Sequence, residues 1–234
     1  MTNRERRDKG LPYITDAEIL AEQKAARAIL AKYNRIKPLD FKKANKILNK
    51  FFGKKGEHAY IEPPFFCDYG KHIEVGENFY ANSNFVVLDT GKVQIGKNAL
   101  IGPNVSIFTA GHPVHYKARN SGYEYGINVK IGDNVWIGGG TVINPGVKIG
   151  NNVVIGSGSV VVRDIPSNSL AAGNPCKVSR QIADEEINYY YKYLLFSEDE
   201  MKRVNASESF VPFTASQESG GGGSRTVGAP DVKK

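Results

Sequence analysis

The chain is poor in several residue types, and each scarcity closes off a class of protein. Cysteine occurs only twice, as Cys67 and Cys176. A disulfide framework is thereby excluded, and a reducing cytoplasm is the expected setting. No run of 18 apolar residues exists, so no transmembrane helix is predicted. The opening MTNRERRDKG is charged and has no apolar core, so a secretory signal is not expected. Nucleic-acid motifs are missing too, and no stripe interleaves basic with aromatic residues. The formal charge of +7 therefore reads either as solubility with a basic N-terminal region or as attraction for a small phosphate-bearing ligand. With 41% hydrophobic and 24% charged residues, what remains is an ordinary soluble composition.

The organisation changes along the chain. Residues 15–34 and 40–52 carry amphipathic helical spacing, with Ile19, Ala26, Leu30 and Tyr33 on one face of the first. Thr15 with Glu18 reads as a capping box for the first helix, Asp40 as the cap of the second, and Gly53 as its stop. Residues 1–60 are thus expected to be a helical region. From Ile73 the apolar residues recur every six positions. One row runs Val75, Ala81, Val87, Val93, Ala99, Val105, and resumes as Val129, Val135, Thr141, Val147, Val153, Ser159. A second runs Ile95, Ile101, Ile107, and resumes as Ile131, Ile137, Ile143, Ile149, Ile155, Val161. Six contains the strand period of two, so each row can face one side. Gly and Asn recur beside the rows and tolerate the left-handed backbone of a tight corner. Short strands with a corner every six residues predict a parallel β-helix over residues 61–180 rather than a sandwich, whose turns come at looser spacing.

One stretch, TAGHPVHYKA, breaks this rule and holds two of the four histidines, His112 and His115. The break keeps phase, since Ile107 and Ile131 stay on the six-residue count, so residues 108–128 read as a loop thrown out from one coil. Residues 181–204 are expected to be a helical segment, tyrosine-rich over 184–195, with a capping box at Ser197 and Glu200. Residues 205–234, which include GGGGS, read as a linker-like tail.

The stretches PPFFCDYGKHIEVGENFYANSNFVVLD, IGPNVSIFTAGHPVH, IGDNVWIGGGTVINPGVKIG and SVVVRDIPSNSLAAGNPCKV resemble the hexapeptide-repeat acyltransferases, and among them the maltose and galactoside O-acetyltransferases. The resemblance implies a left-handed β-helix, a homotrimer with sites between subunits, acetyl-CoA as donor and a sugar hydroxyl as acceptor. It also implies direct attack in a ternary complex, with no acyl-enzyme. HPVH offers a pair of histidines, but a metal site needs at least three protein ligands, so no metal is expected. A sugar hydroxyl needs a base at neutral pH, and histidine suits that task. By resemblance, His112 is the base. On the acceptor side the candidates are Asp16, Asp68, Tyr80, Asn82 and Glu124, with an ordinary structural role open for each. Glu124 would orient either His112 or the sugar. On the donor side, Gly139 and Ser157 match family positions along the coenzyme arm. Arg163, Lys177 and Arg180 would meet its phosphates through charge-assisted hydrogen bonds. Two departures stand out. Thr90 replaces the second acid of an aspartate pair in the galactoside branch, and Asn128 replaces a usual proline. Another small hydroxyl compound as acceptor, or a non-catalytic β-helix scaffold, are the alternative readings. His115 is expected to be an exposed loop residue, and Trp136 a packing residue.

Overall fold

A computed structural model describes residues 1–207. The sequence rows become a prism with three parallel sheets. The first face stacks Lys54–Lys55, Ile73–Val75, Val93–Ile95, Val129–Ile131 and Lys148–Ile149. On the second face lie Tyr60–Ile61, Tyr80–Ala81, Leu100–Ile101, Trp136–Ile137, Val154–Ile155 and Ser169–Ala172, with Lys177–Gln181 added antiparallel. The third face consists of Phe65–Cys67, Phe85–Leu88, Ser106–Phe108, Val142–Ile143 and Val160–Val161. The architecture is a β-solenoid, mainly β with a few helices. Alternate side chains point inward, so Ile73, Val75, Phe79, Ala81, Phe85 and Val87 of one coil are all buried.

The corners explain why the chain can coil so tightly. Asn78, Asn98, Asn134, Asn152 and Asn168 turn the first-to-second corner with φ between 55° and 59°. Their side-chain amides form a ladder, each Nδ2 donating to the Oδ1 of the next coil at 2.8–2.9 Å. Asparagine suits both duties, because it tolerates the left-handed region and its amide both donates and accepts.

The coil length differs from the six-residue count. Val75 lies beside Ile95, not beside Val93, and Ile73 is the neighbour of Val93. The upper coils are thus two residues longer than the lower ones, where Lys130 lies beside Lys148. The extra pair sits at the third-to-first corner, around Asp89–Lys92. An insertion of two preserves the strand alternation, so every inward residue stays inward and the apolar pattern does not register the change. The first strand of the stack, at Lys54–Lys55, also precedes residue 61.

Helices close the N-terminal end. Helix α1 (Asn3–Asp8) was not marked by the sequence pattern. Helices α2 (Ala17–Tyr33) and α3 (Phe41–Phe51) lie over the top coil. Tyr33 donates its hydroxyl to the Ile61 carbonyl at 2.6 Å, and Asn34 exchanges two hydrogen bonds with the Phe65 backbone. The open end of the prism is thereby covered rather than left as strand edges. The cap of α2 is Asp16, whose Oδ1 accepts from the Ile19 N–H, so the cap lies one residue after Thr15. Asp40 caps α3 as expected.

The C-terminal segment departs further from the expected helix. Residues Asp184–Asn188 form a 3-10 turn, Tyr189–Tyr191 and Leu194–Leu195 an antiparallel hairpin, and only α5 (Glu198–Ala206), capped by Ser197 and Glu200, is an α-helix. Consecutive tyrosines favour extended backbone, which accounts for the hairpin. Of the expected 205–234 tail, residues 208–234 lie outside the described residues.

Replacing Asn134 tests the corner ladder. Asn134→Ala loses two amide bonds worth about 1 kcal/mol each and keeps a β-carbon in the left-handed region, a strain of about 1–2 kcal/mol that glycine avoids. Thermal unfolding should show a clear drop for Asn134→Ala and a smaller one for Asn134→Gly. Equal loss in both variants would mean the backbone conformation carries no strain.

Candidate active site

The inserted loop is rooted at the third-to-first corner. Thr109 donates its hydroxyl to the Leu88 carbonyl at 2.6 Å and accepts from the Gly91 N–H at 2.8 Å. Its carbonyl accepts from Ile127 N–H at 2.9 Å, which closes the neck of the loop. Gly126 must be glycine here, because a β-carbon would lie 2.6 Å from the Gly91 nitrogen. Asn128 serves the same neck, its Oδ1 accepting from the Lys92 N–H at 2.8 Å. Within the loop, Ala110–Gly111 pairs antiparallel with Tyr123–Gly126, and that strand pairs in turn with Tyr13–Ile14 from the N-terminal region.

His112 directly follows Gly111 of this small sheet and is exposed. Among the described residues its ring makes no hydrogen bond. Glu124 is fixed from the far strand, accepting from the Tyr13 hydroxyl at 3.1 Å and the Thr15 hydroxyl at 2.9 Å. Burial, then the nearby Glu124 charge, pushes the Tyr13 phenol up. Tyr13 and Thr15 are site residues that the sequence pattern does not mark: Thr15 holds Glu124 and does not cap α2. His115 caps the short α4 (Tyr116–Asn120), with its Nδ1 accepting from the Lys117 N–H at 3.3 Å.

Asp68 sits two coils above the root of the loop, with Phe85–Leu88 between Phe65–Cys67 and Ser106–Phe108. Its carboxyl is raised by burial and by Glu124, against the lowering pull of Arg27. Asp68 and Arg27 share the wall of a cavity of about 420 Å³ with Phe66, Cys67 and Leu88. The sequence pattern does not mark Arg27 either, though it lies three and four residues before Leu30 and Ala31 of the same wall, its neighbours on the helix surface. Beneath, Asp89 is fully buried and its Oδ1 accepts from the N–H groups of Asp68 and Tyr69 at 2.8 and 2.9 Å. The other oxygen, Oδ2, has no partner among the described residues. Burial raises the Asp89 pKa from 3.8 to about 6. Thr90, beside it, is buried.

The other predicted residues occupy different places. Asp16 caps α2 and also accepts from the Asn3 amide at 3.1 Å; these bonds hold its carboxyl below the usual range. Tyr80 stacks on Tyr60 on the second face, with ring centroids 6.5 Å apart. Asn82, Gly139 and Ser157 form a column at the second-to-third corner. Backbone bonds from Asn104 to Ser83, from Gly140 to Pro103 and from Gly158 to Gly139 stack its turns. Ser157 is exposed, and a β-carbon on Gly139 would crowd the Pro103 carbonyl at 3.1 Å. Lys177 and Arg180 lie on the exposed last strand of the second face, where both guanidinium NH groups of Arg180 engage the Glu186 carboxylate. Arg163 follows Val160–Val161 on the loop's side of the prism. Two groups result: His112, Glu124 and Asp68 around the loop, and Asn82, Gly139 and Ser157 across the third face from them.

Comparison with known proteins bears on this arrangement. Residues 8–56 match the maltose acetyltransferase hexapeptide capping motif, and residues 128–163 match the bacterial transferase hexapeptide (six repeats). The Escherichia coli galactoside O-acetyltransferase is 44% identical over 166 residues, which span 71% of this chain and 82% of that protein. The chain belongs to the galactoside and maltose O-acetyltransferase family. Among solved structures, a maltose O-acetyltransferase from Clostridium difficile superposes with a TM-score of 0.77 at 46% identity, covering 79% of this chain and 99% of the other. A galactoside acetyltransferase in complex with coenzyme A gives 0.80 at 40% identity, covering 84% and 99%. In this acetyltransferase the capping motif falls on α2 and α3, the helices that cover the prism's end.

Asp89 supplies a pH test of the packing under the site. Its folded pKa is raised, so its contribution is fully favourable below 3.8 and is lost as the pH rises through about 6. At about 1.4 kcal/mol per unit, the ionised form costs roughly 3 kcal/mol above that range. Asp89→Asn keeps the oxygen that accepts from Asp68 and Tyr69. Denaturation across the acid-to-neutral range should show the variant gaining on the parent as the pH rises. A constant difference across that range would place no buried charge at Asp89.

Proposed function

We propose that the protein transfers an acetyl group from acetyl-CoA to a hydroxyl of a sugar such as maltose or glucose. The observation that carries the reading is His112: an exposed imidazole with no hydrogen bond among the described residues, held at the end of a braced strand in a phase-preserving loop. The Glu124, Tyr13 and Thr15 contacts stiffen the sheet that presents it. In the proposed reaction a ring nitrogen of His112 takes the proton from the acceptor hydroxyl as its oxygen bonds to the thioester carbonyl carbon. The tetrahedral centre then expels the coenzyme A sulfur, to which the histidine returns the proton. No covalent enzyme intermediate is needed. Cys67 is unsuited to be a nucleophile, since burial pushes its thiol well up.

Around this centre Asp68, Asn82, Tyr80, Asp16 and Glu124 are the proposed acceptor contacts. Gly139 and Ser157 would line the coenzyme's amide-bearing arm. Lys177, Arg180 and Arg163 would meet its phosphates. Arg180 must then exchange Glu186 for phosphate, which lowers the net gain from that contact. The two groups of residues stand on different corners of the prism, across the third face from each other. A small acceptor and the donor thioester must touch both, so we propose a homotrimer whose sites combine the loop of one copy with the corner column of the next. The outer row of the first face is polar, with Lys54, Glu74, Gln94, Lys130 and Lys148, whereas the second and third faces carry Tyr80, Leu100, Trp136, Phe66, Val86 and Val142. Apolar outer rows suit contact with other copies. No described helix is long and apolar enough to cross a membrane, and the proposed setting is the cytoplasm.

Two measurements test the proposal. His112→Ala should lower sugar-dependent thiol release from acetyl-CoA by roughly 10²–10⁴-fold while the KM for acetyl-CoA stays near its parent value. A folded variant with undiminished turnover rejects the base. The shared site is tested by mixing: inactive His112→Ala and Asn82→Ala proteins, unfolded and refolded together, should regain part of the activity that neither has alone. If the mixture stays as inactive as its parts, His112 and Asn82 do not meet across a subunit boundary.

A further inference from the structure

The formal charge of +7 is not spread evenly along the chain. Residues 32–55 hold nine basic residues and a single acid, Asp40, so the remainder of the chain is close to neutral. This segment is the end of α2, all of α3 and the first strand of the stack, the parts that close the prism's N-terminal end. The two sides of α3 are sharply divided. Ala44, Leu48 and Phe51 are buried, whereas Lys42, Lys43, Lys46 and Lys50 are exposed. At 3.6 residues per turn those four lysines fall within an arc of about 100°, opposite the buried side. The lysines that form ion pairs among the described residues are Lys71, Lys92 and Lys202, none of them on this helix. Asp40 is committed to the Lys43 N–H as the helix cap. Beside the lysines stands Leu39, 55% exposed and held at a φ of 61°, a left-handed backbone that strains a leucine.

We propose that this end of the prism docks on an anionic lipid bilayer, with the α3 lysines against the headgroups and Leu39 in the interface. The composition of the patch selects this partner. Lysines carry point charges on long flexible stems, which suit a diffuse anionic field; Arg35 is the sole guanidinium in the segment. A nucleic-acid strand calls for exposed aromatic rings on which bases stack, and those of α3 turn inward, Phe41 half-buried and Phe51 buried. An apolar tip among lysines is instead what an interfacial membrane contact requires. The cytoplasmic leaflet is the anionic one, which matches the proposed setting. In the side-by-side trimer proposed above, rotation about an axis along the prisms leaves all three capped ends on one side, where they act together. The patch of a single copy does not depend on that reading.

Co-sedimentation of the full-length protein with vesicles tests the proposal. The protein should pellet with phosphatidylcholine vesicles that contain phosphatidylserine and stay in solution with phosphatidylcholine alone, and added salt should release it. A lysine close to an anionic surface is worth about a fivefold gain in partitioning, so Lys46→Gln with Lys50→Gln should weaken binding by roughly 25-fold. Leu39→Ser removes no charge and should weaken it several-fold. No binding to the anionic vesicles, or equal binding by the lysine variant, would overturn the proposal. So would unchanged binding by Leu39→Ser, which removes the apolar contact that singles out a bilayer. Lysine-dependent binding to an RNA oligonucleotide without binding to vesicles would assign the patch to nucleic acid and reject the bilayer. None of these three residues is assigned to acetyl transfer, and sedimentation reads no turnover, so the outcome stands whether or not the proposed reaction is correct.

Discussion

Everything in the prism depends on one backbone constraint: each coil must turn its first corner in the left-handed region. Asn78, Asn98, Asn134, Asn152 and Asn168 meet it in the same way, coil after coil. Their amide ladder ties neighbouring corners together at 2.8–2.9 Å. With that corner fixed, strands stack in parallel, alternate side chains turn inward, and the remaining corners fall into columns. One column carries Asn82, Gly139 and Ser157. The corner after the third face is the one released from this regularity, and there the chain gains its extra two residues in the upper coils and its inserted loop in the third.

The fold was legible because alternation and corner chemistry are local. Ile95, Ile101 and Ile107, with their glycines and asparagines, specify strand and turn without reference to anything distant. Coil length was not legible, because shifting Val75 from Val93 to Ile95 changes no residue from inside to outside. The C-terminal segment was misread for a related reason. Helical spacing over 184–195 is weak, and the β preference of consecutive tyrosines overrode it at Tyr189–Tyr191. At the other end, Thr15 and Asp16 are both competent caps, and only the pairing of Thr15 with Glu124 decides between them.

The candidate site divides along the same line. His112 announces itself through a short motif within the break in the repeat. The residues that brace it do not, since Tyr13 is 111 residues from the glutamate it holds. Asp89 is equally silent in sequence: its importance lies in reaching up one coil to the Asp68 and Tyr69 backbone, a neighbour relation set by stacking. Arg27 meets Asp68 for the same reason, as a helix laid over the prism's end brings its side chain to a corner far along the chain. Local chemistry could be read from local residues; supporting contacts follow from the coil geometry and required the structure.

The strand Tyr13–Ile14 joins the inserted loop only through residues 123 and 124. This pairing sets an order of events during synthesis. The N-terminal strand is made first, yet its partner exists only after three coils and the loop have been added. Until then Tyr13 and Thr15 have no Glu124, and the segment between α1 and α2 has no sheet to join. Long-range pairings of this kind are slow to close, because the entropy of a large loop must be overcome before the contact is gained. The solenoid can grow coil upon coil, each on its immediate predecessor, whereas the loop that presents His112 is completed by reaching back to the start of the chain. The imidazole therefore acquires its braced position late, when the scaffold beneath it is already built.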